Sequence, residues 1–120
     1  MIKGFENITF ELTYDEKLMI PVILKGFEYH KGKQNAIKSS EIVKKMQSKG
    51  YKLTDARLRK MINYIRSTGI APICSNSKGY WHSIDLKEIK DEILSLNQRA
   101  NAIKSASNGL LNYVNRFTNK

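Results

Sequence analysis

Hydrophobic residues recur along this chain with two periods, and the changes between them mark out its elements. Ile8, Phe10 and Leu12 alternate with Asn7, Thr9 and Glu11, the rhythm of a short half-buried strand or extended arm. Thr13-Tyr14-Asp15-Glu16 then has the form of a capping box, in which the Thr13 hydroxyl and Glu16 carboxylate each satisfy a free backbone amide. A first helix should open there and run to about Lys25, with Leu18, Met19, Val22, Ile23 and Phe27 in the core. Pro21 lacks a donor and crowds the preceding turn, which predicts a kink or a break into two short pieces.

His30 to Asn35 has no apolar period and reads as a loop, with Ala36-Ile37-Lys38 as a minimal strand. Ser39 or Ser40 should cap a second helix that Gly50 stops; Thr54 caps a third that Gly69 ends. In the second, Ile42, Val43 and Met46 face inward and Lys44, Lys45 and Ser48 outward. In the third, Leu58, Met61, Ile62 and Ile65 share one side. The opposite side shows Ala56, Lys60, Asn63 and Ser67, flanked by Arg59 and Arg66 on one edge and by Arg57 and Tyr64 on the other.

After Gly69 the period becomes extended. Ile70–Cys74 and Tyr80–Ile84 bracket the polar connection Ser75–Gly79, which predicts a β-hairpin with one of Tyr80 and Trp81 in the core. From Asp85 onward, Ile89, Ile93, Leu96, Ala100, Ile103, Ser107, Leu110, Val114 and Phe117 follow steps of four and three, a heptad seam on one long helix. Asn108-Gly109 is its weak point. Such a seam either lies on its own domain as a lid or pairs with its twin through Ile89, Ile93, Leu96, Ile103 and Leu110. Arg99 and Lys104 would meet as like charges in a parallel pair.

Charge sharpens this picture. The 120 residues carry a net +10, but residues 1–30 hold three basic and five acidic residues, and residues 31–70 hold eleven basic and two acidic. Positive charge is thus concentrated on the second and third helices, the footprint of phosphate neutralisation. The length suits one compact domain, residues 1–84 with an N-terminal arm, followed by the helix of residues 85–120. The apolar run Leu18–Leu24 is far short of the ~20 residues a bilayer span needs, and no secretory leader is evident. A single cysteine, Cys74, excludes an internal disulfide and fits a reducing cytoplasm.

Catalytic chemistry finds little support. His30, His82 and Cys74 are too few and too irregularly spaced for a structural zinc site, and there is no Gly-rich phosphate loop. Asp85, Glu88, Asp91 and Glu92 open a helix, where dipole stabilisation accounts for them. A Cys74–His82 dyad has nothing else to orient it, so a buried structural thiol is the better reading. The expectation is a non-enzymatic protein without metal, cofactor or small-molecule substrate.

Helix, basic loop, helix, short turn, helix, hairpin is the order of the winged helix-turn-helix: mainly α with a small β-hairpin, here followed by a long C-terminal helix. Asn35-Ala36-Ile37, the Leu53–Arg66 helix with its Arg-Lys-x-Ile-x-Tyr-Ile-Arg core, and Ser77-Lys78-Gly79-Tyr80 resemble small winged-helix proteins encoded by bacteriophages and prophages. The resemblance covers residues 13–106. It implies a DNA-binding fold, in a group whose members have varied roles; with the charge pattern, the expectation is a double-stranded DNA-binding protein of phage type in the cytoplasm of a bacterial host, acting as a regulator or accessory factor in phage DNA metabolism. From the residues themselves, the third helix (54–67) would enter the major groove with Arg57, Arg59, Lys60 and Asn63 toward the bases. Lys44, Lys45 and Lys52 would contact phosphates, and Lys78 would serve the hairpin (73–82) as its wing contact. A rival reading keeps the same scaffold as a protein-interaction module that docks a host or phage protein through the C-terminal helix. Structured RNA is a weaker partner, because a deep, narrow A-form groove excludes a helix.

Overall fold

The structure, a computed structural model, describes residues 11–118; Ile8 and Phe10 of the expected N-terminal strand or arm lie outside them. Helix α1 spans Tyr14–Phe27 and opens on the expected capping box: the Thr13 amide donates to Glu16 Oε1 at 2.8 Å, and the Glu16 amide to Thr13 Oγ1 at 3.2 Å. The helix runs through Pro21 without the expected break into two pieces. Pro21 is exposed, while Met19, Ile20, Ile23 and Phe27 are buried on both sides of it. Packing of that stripe outweighs one lost backbone bond.

A 3₁₀ turn, Lys33–Asn35, leads to α2, Ser39–Ser48. Lys38 is its N-cap and no side chain caps it, so Ser39 and Ser40 are its first residues and not its cap. Helix α3, Asp55–Ser67, is capped by Thr54, whose Oγ1 accepts from the Arg57 amide at 3.2 Å. Helices α2 and α3 end on the same motif. Past α2, Tyr51 N bonds Met46 O and Gly50 N bonds Gln47 O; past α3, Ile70 N bonds Ile65 O and Gly69 N bonds Arg66 O. These paired bonds satisfy the last carbonyls and turn the chain sharply.

Strands β1, Ile73–Asn76, and β2, Gly79–His82, pair antiparallel. The turn is shorter than the expected five-residue connection, only Ser77-Lys78, because Asn76 Oδ1 accepts from the Lys78 amide at 2.8 Å and closes the chain at once. Cys74 faces Trp81 across the ladder, and both are buried; half-buried Tyr80, on the other face with Ile73, is the one that packs against the main core cluster. On the other edge of β2, Ile37 and Tyr80 exchange two backbone bonds of 2.8 Å. That close approach requires glycine at Gly79: its φ is +128°, and a Cβ there would lie 2.2 Å from the Ile37 carbonyl oxygen.

Met19, Leu53, Leu58, Met61, Ile62, Ile65 and Ile73 are all but sealed from solvent in one core cluster, with α3 at its centre. Helix α4, Leu86–Thr118, is continuous through Asn108-Gly109, since one interior glycine weakens a helix by only about 1 kcal/mol. None of its 33 residues is buried. The chain divides into a compact unit ending at Leu86 and a second beginning at Lys87.

Candidate nucleic-acid interface

Glu16 is the hinge of the site. It lies on the same helical stripe as Met19, Ile20, Ile23 and Phe27, and is 1% exposed. A carboxylate so placed needs counter-charge, and α3 supplies it: Lys60 Nζ lies 2.9 Å from Oε1 and Arg57 Nε 3.1 Å from Oε2. Burial by itself would push the carboxyl up. The Thr13 amide, Lys60 and Arg57 together outweigh burial and lower it to about 2. Arg57 also donates through Nη2 to Thr13 Oγ1 at 3.3 Å and through Nη1 to the Lys52 carbonyl. One guanidinium thus ties α3 to the cap of α1 and to the turn that precedes α3.

The opposite edge of α3 is fastened in the same way. Arg66 Nε donates to the Ile73 carbonyl at 2.8 Å and Nη2 to Ser75 Oγ at 3.1 Å, so this arginine grips the hairpin. Cations at both margins hold α3 to its neighbours. Between them runs an exposed strip of Ala56, Arg59, Asn63 and Ser67. Ser67 Oγ donates to the Asn63 carbonyl at 2.7 Å, while the Asn63 carboxamide makes no hydrogen bond among the described residues. Arg59 pairs with Asp55 at 2.6 Å, yet its side chain is 73% exposed.

The four residues expected to reach base edges therefore separate into two pairs. Arg57 and Lys60 are turned toward Glu16, with 27% and 22% of their side chains exposed, which corrects their expected outward placement. Arg59 and Asn63 stand clear. Lys44 and Lys45 on α2, Lys52 in the α2–α3 turn and Lys78 in the hairpin turn are all exposed. Because two cations meet a single carboxylate at Glu16, positive charge is left over beside the strip. A polar hollow lies between the start of α2 and the hairpin, lined by Lys38, Ser39, Ser40, Ser75, Asn76 and Ser77 among others. The free amides at the uncapped start of α2 favour anions there.

Sequence reasoning missed the roles of Glu16 and Arg66. For Glu16 a signal existed: an acid three, four and seven residues before Met19, Ile20 and Ile23 shares their inward face. Arg66 gave no such signal, because its acceptors are a carbonyl and a hydroxyl on a strand whose approach no local pattern encodes. His30 Nδ1 lies 2.9 Å from the Asn35 carbonyl oxygen, a loop-bracing contact, and Cys74 is a buried free thiol. Among the described residues no three His, Cys, Asp or Glu side chains group as a metal site, and no helix is long and apolar enough to cross a membrane. No protein-family model, curated protein or solved structure matches this chain.

Proposed function

We propose that the unit ending at Leu86 is a winged helix-turn-helix that binds duplex DNA. The observation that carries this reading is the exposed strip of α3, a rigidly clamped helix face offering a free carboxamide and a guanidinium among exposed lysines. Helices α2 and α3 supply the helix-turn-helix, Ile37 backs β2 as a third, minimal strand, and the hairpin is the wing. Small Ala56 lets the backbone of α3 approach the groove. Asn63 reads adenine through paired donor and acceptor, and Arg59 reads guanine after exchanging Asp55 for the base. Lys44, Lys45, Lys52 and Lys78 contact phosphates and set the register. Arg57 and Lys60 fix the angle of α3 through Glu16 and do not read bases. The phage-type resemblance adds the biological setting, a regulator or an accessory factor in phage DNA metabolism within a bacterial host.

Fluorescence anisotropy on labelled duplexes over a salt series tests the reading. Four phosphate contacts give a log-log slope of about −3 to −4. Asn63→Ala is expected to flatten sequence preference, whereas Lys44→Ala with Lys45→Ala weakens all duplexes alike and makes the slope shallower by about 2. A slope near zero, or no binding at low salt, would overturn it.

A further inference from the structure

We propose that α4 pairs with α4 of a second copy of this chain in antiparallel orientation, in one register centred between Asn101 and Ala102. The proposal stands apart from the DNA reading. Its ground is the composition of the seam. Taking the steps of three and four from Leu86, one set of positions is Leu86, Ile93, Ala100, Ser107 and Val114, and the other is Ile89, Leu96, Ile103, Leu110 and Phe117. Leu86, Ile103 and Leu110 are each more than 70% exposed. A helix carrying Asn97, Asn101, Asn108, Gly109, Asn112 and Asn115 is not sustained by propensity, so burial of the seam must hold it.

A spacing of 3.5 residues over more than four heptads is the geometry of supercoiling with another helix of the same period. This chain itself contains one such helix. Residues 85–120 carry six basic and four acidic residues, so two copies repel only weakly.

Side-chain size then decides direction. In a parallel, in-register pair each layer meets its own copy. Ala100 on Ala100 and Ser107 on Ser107 leave two thin layers, and Phe117 on Phe117 an overfilled one. Reversing one helix gives Leu86 with Phe117, Ile89 with Val114, Ile93 with Leu110, Leu96 with Ser107 and Ala100 with Ile103. Every small residue now faces a large one, as close packing demands. Charge agrees. The parallel pair sets Asp85 beside Lys90 but Arg99 beside Lys104, which cancel; the antiparallel pair sets Arg99 beside Ala106 and Lys104 beside Asn97, with no like charges in contact.

Analytical ultracentrifugation of the full chain, with disulfide trapping, tests this. A dimer is expected, and Ile103→Glu, which buries one unpaired carboxylate of each chain against Ala100 of the other, is expected to weaken it by about tenfold or more without unfolding the unit ending at Leu86. For direction, chains carrying Leu96→Cys are mixed with chains carrying Ser107→Cys under mild oxidation. Cross-links are expected between the two kinds of chain. Ser107→Cys alone should give none, because residues 107 of the two copies would sit about 16 Å apart along the axis, beyond disulfide reach. Buried Cys74 leaves the background low. A monomer at all concentrations, or ready self-linking of Ser107→Cys, would overturn the proposal.

Discussion

Glu16 is an acid whose neutraliser lies more than forty residues away, and its titration ties folding to pH. Its carboxyl is held at about 2 in the folded chain against 4.5 for an unperturbed glutamate. A depressed folded value means stabilisation that is complete above the unfolded value and lost as pH falls from about 4.5 toward 2. The difference corresponds to about 3 kcal/mol. Glu16→Gln removes it and leaves Arg57 and Lys60 facing a neutral amide; urea unfolding at pH 7 is expected to show a loss of about 2 to 3 kcal/mol, since both cations retain some water. The same variant should also flatten stability between pH 5 and 2.5. Gly79 sets a second limit at this scale. Gly79→Ala drives a Cβ into the Ile37 carbonyl and strains the backbone, so thermal unfolding should report at least about 2 kcal/mol of destabilisation.

At the scale of elements, α1 is a helix kept by its packing in spite of its sequence. Pro21 is exposed within it, so Pro21→Ala restores a backbone bond without disturbing the core and should stabilise the chain by about 1 to 3 kcal/mol in chemical denaturation. The ends of α2 and α3 were legible in the sequence because Gly50, Thr54 and Gly69 act through bonds to residues within one turn. The hairpin was legible from its alternation, but its tight turn depends on the Asn76 side chain, which the count of polar residues does not reveal. For the interface, periodicity identified which residues of α3 leave the core and set Arg57 and Arg59 on opposite edges, but it could not tell which edge a neighbour would cover. Only the arrival of Glu16 from α1 makes Arg57 and Lys60 the inward pair.

For the whole molecule, α4 contributes no buried residue, and the core cluster is drawn wholly from residues that precede it. A chain ended after Leu86 retains every buried hydrophobic residue of the cluster, and differential scanning calorimetry should find its midpoint within about 3 °C of the full chain's. The length of α4 has a further consequence. In the antiparallel pairing, the two Leu86 residues, from which the basic units emerge, stand about 47 Å apart along the rod at 1.5 Å per residue. That exceeds the spacing of adjacent half-sites, about 34 to 36 Å. Such a rod would set the two attachment points more than one turn of duplex apart, measurable as the distance between spin labels at Leu86→Cys of the two copies.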